Sequence, residues 1–481
     1  MRCVDGSAAC LHNWQRARPT TVWASRVGRT TLRAMRLPLA DRVLYGLGSL
    51  GNATFFWSLS LWLIYFYAPP AERGSALIPI AVVAVARGVG GALEAFDDPL
   101  IGWWSDRSRS RWGRRIPFLL YGVPVLVISF WLLFTPPAGA GPVLIAVYFF
   151  VVLEVFYFAN TIVGAPYEAL QAEIATSSAD RVSLGVWKVL FGTGGLLLAF
   201  VVSPQLIERL GFSVSMAILA AIAFVALYGM LFGLWRRGTL SRATTIEPAP
   251  ISLVGSIRAS LAHRPFLALA LSFVLFSIGY NMLPLLMPYY VTVVHGTTEG
   301  EVTFFLAGVI AAVVVALPLA SWAARRFGKR AVYAVAMALT GVYLLFLGVA
   351  AFTPLIPGVP LLWQSRVTVW LSGLGFTALF VFPGAMMADV IDDDAARHGQ
   401  QRAAVYYGMF KTLEKFAQGG AAILFGMLVQ IFGGDAARPF GLQLALPVAG
   451  ICALAGCVAV VLGYHLGERG TSTLATEGGS A

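Results

Sequence analysis

A small set of ionisable residues lies inside long apolar runs, and spacing sorts them into groups. Glu94 and Asp98 are four apart and share one face of a helix, with Asp97 beside them. Glu154, Thr161 and Glu168 are seven apart and form a stripe on another helix. Lys411 and Lys415 repeat the spacing of four on a third, with Glu414 between them, and Arg87 and Lys188 complete the set. Two carboxylates on one face, with a hydroxyl from a neighbouring helix, suit a small hard cation. Oxygen ligands replace its water shell and the negative charges offset its desolvation. The same carboxylates can instead carry a proton where burial strengthens their hold on it. A nearby lysine can pair with the acids when the cation is absent, so binding the cation releases that lysine and gives a physical route to coupling. The plainer alternative is that these charges pair among themselves and fix helix packing.

Only long apolar helices can hold such residues at these depths. The chain has 481 residues, 58% hydrophobic and 12% charged, against roughly 25% charged in a soluble domain. This composition excludes a soluble enzyme, a disordered chain and a disulfide-rich secreted protein, and points to a polytopic membrane protein. Twelve segments are apolar and long enough to span: 43–68, 76–104, 116–135, 142–170, 183–204 and 212–235, then 265–294, 302–324, 331–353, 362–388, 403–432 and 440–466. The runs are too long, and lack the two-residue alternation, for barrel strands. The expected organisation is a basic extension over 1–40, a six-helix bundle over 41–235, a polar linker over 236–264, a second bundle over 265–466 and a tail over 467–481. The regular pattern starts just after Met35, so the residues before it are expected to be dispensable.

Each half carries a basic loop after its second span, from Asp106 to Arg115 and from Arg325 to Arg330, which suggests two related halves. The net charge of +11 gathers mostly in the loops of one side, an orientation signal that puts both termini in the cytoplasm of a cell-membrane protein. Nucleic acid is therefore not an expected partner; the lipid bilayer, a small solute and a coupling cation are. A monomer is expected.

Other chemistries lack their residues. There is no Gly-x-x-x-x-Gly-Lys-Ser/Thr loop for a nucleotide. The five histidines lie in tails or at span ends, and Cys3, Cys10, Cys452 and Cys457 have no metal-site company. An enzyme using Glu154 and Glu168 as acid and base fails on distance, since fourteen residues of helix separate them by about 21 Å. No enzymatic activity and no cofactor are expected, apart from Na⁺ as a coupling ion.

The chain resembles the glycoside–pentoside–hexuronide:cation symporter family, the melibiose-permease branch of the major facilitator superfamily. The resemblance spans roughly residues 40–466. It rests on Tyr45-Gly46-Leu47-Gly48-Ser49-Leu50-Gly51-Asn52, on Glu94-Ala95-Phe96-Asp97-Asp98-Pro99-Leu100-Ile101-Gly102-Trp103, and on the basic loop that opens Ser105-Asp106-Arg107 and closes Gly113-Arg114-Arg115. Pro166-Tyr167 and Ala388-Asp389-Val390-Ile391-Asp392 also match. The resemblance implies an all-α major facilitator fold that couples solute movement to Na⁺ or H⁺ by alternating access. It implies a cation site at Glu94, Asp98, Thr161 and Lys415, with Asp97 in an Asn-like position. Glu94 stands where the family usually has Asp. The sugar site departs further: acids of the family fall on Ala53 and Gly164, an aromatic on Glu168, and a Trp on Phe380, while Lys188 keeps a basic residue. A galactoside is therefore disfavoured, and Glu168, Lys188 and Lys411 suit another, charged solute. Asn52, Glu154, Asn160 and Trp187 are pocket candidates. Asp106, Arg107, Arg111, Arg114 and Arg115 match the superfamily's gating loop. The implied cargo is a sugar, a glycoside or a related small solute; the alternative is a lysolipid or other amphiphile.

Overall fold

The computed structural model describes residues 37–466, apart from 109, 111, 176, 239, 241–259, 351 and 399–402. The N-terminal extension up to residue 36, most of the linker and the tail lie outside the described residues. Among those described, twelve α-helices follow one another. They are α1 (Leu39–Tyr67), α2 (Ile80–Arg107), α3 (Ile116–Leu132), α4 (Pro142–Ile174), α5 (Ser178–Leu197) and α6 (Ser203–Arg236). The second set is α7 (Arg264–Tyr289), α8 (Val302–Phe327), α9 (Lys329–Ala350), α10 (Leu361–His398), α11 (Ala403–Phe432) and α12 (Phe440–Gly463).

The chain is a multi-pass membrane protein. Nine stretches are long and apolar enough to cross a bilayer, with Ala179–Arg236 counted as one. α2 stands outside that set because Arg87, Glu94, Asp97 and Asp98 interrupt it, and α3 because it has only 17 residues. A π-helical turn, Leu198–Val202, joins α5 to α6, and the chain reverses at Gly211, whose φ of 74° is open to glycine at little cost. The fifth span thus continues past residue 204, where the hydrophobic pattern ends it.

The two halves repeat one packing scheme. α1 packs on α5 and α6, α3 on α4 and α6, and α2 on α4. In the same order, α7 packs on α11 and α12, α9 on α10 and α12, and α8 on α10. Between the halves α1 meets α7, α2 meets α11, and α8 meets the turn joining α5 to α6. α2 and α11 touch backbone to backbone: a Cβ on Gly419 would lie 3.1 Å from the Gly88 Cα. Small residues let membrane helices approach this closely.

The polar contacts divide by depth. Towards the linker, pairs stay within one half: Arg114 and Arg115 with Glu173, Arg42 with Asp180, Arg237 with Asp41, Lys329 with Asp389 and His263 with Asp393. At the opposite end, they cross. Tyr65 donates to Glu299 at 2.8 Å, Gln205 to the Gly300 carbonyl at 2.8 Å, Thr303 to the Val201 carbonyl at 2.8 Å and Tyr289 to the Ala68 carbonyl at 2.6 Å. Arg73 and Glu72 of the α1–α2 loop also reach Glu299 and the Ala436 amide. The halves are latched together at this end.

Candidate functional site

Midway through the molecule, α2, α4 and α11 converge. The Lys415 ammonium donates to Asp98 Oδ2 at 2.7 Å and lies 3.2 Å from Glu94 Oε1. Asn160 Nδ2 donates to the same Glu94 oxygen at 2.8 Å. Glu94 is only 6% exposed, while the Asp98 side chain keeps 33% of its surface. A buried carboxylate in hydrocarbon is costly unless it is paired and hydrogen-bonded, and here both requirements are met across the halves. The amine lies between the two acids. Thr161 is buried on α4 with its Oγ1 lacking any hydrogen-bond partner, so its hydroxyl does not touch these acids. Asp97 lies on the next position of α2 and takes no ion pair among the described residues.

A second cluster forms towards the linker. Lys188 of α5 donates to Glu168 of α4 at 2.6 Å, and Lys411 of α11 approaches the same carboxylate at 3.5 Å. Glu168 keeps 38% of its side-chain surface and Lys411 60%, although both lie within membrane-spanning helices. Charged groups are rare in membrane-spanning helices and mark functional positions. Glu414 sits in the field of Lys411 and of Lys415. An aromatic group lines the same region: Trp57 of α1 meets Tyr280 of α7 edge-on at 6.2 Å, and Tyr280 meets Phe380 at 5.5 Å. Asn52 Oδ1 is buried without a partner, Gly164 borders open space, and Trp187 packs on Phe191.

The family model described as "MFS/sugar transport protein" matches residues 44–466. The chain belongs to this family. Among known relatives, the inner membrane symporter YicJ of Escherichia coli (strain K12) is 27% identical over 298 residues. That alignment covers 60% of this chain and 62% of the relative, just under two thirds of its length. The sodium-dependent lysophosphatidylcholine symporter 1 of Gallus gallus is 22% identical, covering 80% of this chain and 77% of its own. Among solved structures, the nucleoside transporter NupG (D323A mutant) superposes with a TM-score of 0.62 at 13% identity, over 88% of this chain and 99% of that one. The fold is that of the major facilitator transporters, and the family places the chain among transporters rather than enzymes.

Within this sugar-transport family member, the sites expected from sequence fall in different places. Glu94, Asp98, Lys415 and Asn160 come together, as do Glu168, Lys188 and Lys411. Glu154 does not join Glu168. It lines a groove on the outer face of the first half, because a straight helix turns its seven-residue stripe by about 20° per repeat and the two acids lie far apart along α4. Of the basic loop, Arg114 and Arg115 bind Glu173 at 2.6 and 2.8 Å, Arg115 also donates to Ser105 at 2.8 Å, and Arg107 stacks on Trp103 at 4.2 Å. Arg111 and the Asp106 side chain lie outside the described residues.

Sequence reasoning missed Glu173, Tyr280 and Glu299. Glu173 sits at the end of a span facing a basic loop, a signal that was readable. Tyr280 and Glu299 gain their roles only from contacts between the halves, which spacing along one helix does not encode.

Proposed function

We propose that this chain is a secondary active transporter that couples a cation, Na⁺ or H⁺, to symport of a sugar, glycoside or related small solute. The observation that carries the reading is the Lys415 ammonium held between Glu94 and Asp98 by helices from opposite halves. A cation entering between these acids displaces the amine, and displacement breaks the contact that ties α11 to α2. Cation binding thereby changes the energy of moving one half against the other. The wet cluster of Glu168, Lys188 and Lys411 receives the solute. An anionic solute exchanges with Glu168 for the lysines, and a hydroxylated one uses all three groups as donors and acceptors.

The basic loops beside the linker support a cytoplasmic location for the linker and both termini. The arrangement described then has its cell-exterior end closed. A monomer in the cell membrane completes the reading.

Thermal-shift screening of the purified protein tests it, using a disaccharide, a pentoside, a uronate and a lysophosphatidylcholine. Each is tried with Na⁺ or choline and at two pH values. Ligand stabilisation follows mass action. A sugar-class hit that strengthens with Na⁺ or with acid supports the proposal. A response to lysophosphatidylcholine alone transfers the cargo to amphiphiles, and hits that ignore both cations remove the coupling.

A further inference from the structure

The repeated packing scheme is broken between α2 and α3. In the second half α8 packs on α9, but the corresponding α2 and α3 stand apart and meet edge-on at Trp104 and Phe118, 5.2 Å between centroids. The gap between them is a groove of about 760 Å³, floored by α4. Its wall is apolar and opens outward: Trp104, Tyr121, Val125, Val155 and Phe158 are each between 40% and 64% exposed. From Pro117 to Val125 it follows α3 for about 12 Å, the length of a medium alkyl chain.

Among the described residues one carboxylate lines this groove, Glu154. Its Oε1 is buried and has no hydrogen-bond partner, and no ion pair reaches it among the described residues. The charges that face it from α2 are the carboxylates of Asp97 and Glu94, which do nothing to neutralise it. Arg87 of α2 lies near Tyr157 but makes no ion pair with Glu154, and its own Nε and Nη1 are unpartnered. The carboxylate is nonetheless accommodated by design of the backbone: a Cβ on Gly90 would lie 2.8 Å from Glu154 Oε1 and 2.6 Å from the Tyr157 ring. A bare acceptor at the head of an apolar trough calls for a ligand that supplies a cation on an apolar body.

We propose that the groove between α2 and α3 is a lateral binding site for a lipophilic amine, its alkyl or aromatic body along α3 and α4 and its ammonium against Glu154. The site is separate from the wet cluster between the halves, so it stands or falls independently of the transported solute. Its exposed apolar wall opens outward, toward the hydrocarbon where such amphiphiles partition.

The test uses photoreactive dodecylamine and photoreactive dodecanol with the full-length protein in phosphatidylcholine nanodiscs, and maps crosslinks to the peptides carrying Tyr121 and Phe158. The amine is expected to label them roughly tenfold more than the alcohol, the equivalent of about 1.4 kcal/mol. Glu154→Gln keeps the shape of the side chain and should erase that preference while leaving alcohol labelling unchanged. Val155→Trp fills the groove and should reduce both. Equal labelling by amine and alcohol in the wild type would mean that the groove holds only acyl chains, and an amine preference that survives in Glu154→Gln would put the ammonium elsewhere. Either result overturns the proposal.

Discussion

Lys415 bonds two acids that it did not have to meet, since Glu94 and Asp98 belong to the other half of the molecule. Its ammonium offsets one of their two charges at a depth where an unpaired charge costs several kcal/mol. Lys188, 2.6 Å from Glu168, belongs to the cluster proposed for the solute. Lys188→Ala should weaken solute binding by roughly tenfold, in line with loss of one charge-assisted hydrogen bond, and leave cation binding within twofold. Titration calorimetry with the solute found by screening, run with and without the cation, separates the two; equal losses would move Lys188 out of the solute site. A different residue reports on pH. His295, in the loop before α8, packs on Tyr290 and Phe305, and burial together with the nearby Arg366 pushes its pKa down to about 4. The unfolded chain therefore binds a proton that the folded one refuses as pH falls through 6.5. This contribution to stability is complete above about pH 6.5, declines as pH falls through the window, and stops changing below about pH 4. His295→Phe should show a smaller fall in melting temperature between pH 7.5 and 5 than the wild type.

At the scale of helices, two contacts set how the halves meet. Gly88 and Gly419 let α2 and α11 touch along their backbones. Gly88→Leu would drive a side chain into Ile423, whose Cδ1 already lies 2.3 Å from the position of a Cβ. Overpacking of this kind costs about 1–3 kcal/mol, and the variant should melt several degrees lower and lose cation response as Lys415 moves away. The second contact is the latch at Glu299. Glu299→Ala removes its bonds to Tyr65 and Arg73 and should favour opening of that end by about 1–2 kcal/mol, a five- to thirtyfold change in population. Cysteines introduced in the α1–α2 loop and beside Gly300 would read this as faster alkylation. Much of this level was legible in advance. The all-helical membrane fold follows from the length and apolarity of the runs, and Glu94, Asp98, Lys411 and Lys415, grouped by spacing, all take ion pairs between helices. The reversal at Gly211 was visible as the start of the sixth span, but the length of the fifth was not, since the residues after 204 fall outside the apolar run and are helical. The stripe on α4 misled for Glu154: period alone says which residues share a face, and the neighbours of that face decide what they touch.

The described residues form two bundles of similar packing, bonded to each other at one end and paired within themselves at the other. Rocking one half against the other exchanges these arrangements. The ion pairs at Glu173 and Asp389 sit beside the end that would then close, and the bonds at Glu299 and Gly300 break as the far end opens. Coupling requires that a ligand bind the two arrangements unequally, and in the proposed function exchange of the Lys415 amine for the cation supplies that inequality. The most direct test is concentrative uptake in proteoliposomes of the solute found by screening, with a Na⁺ or H⁺ gradient, comparing the wild type with Asp98→Asn. Asp98→Asn should fold, should still exchange solute down its own gradient, and should lose accumulation driven by the cation. Normal cation-driven accumulation in that variant would contradict the account.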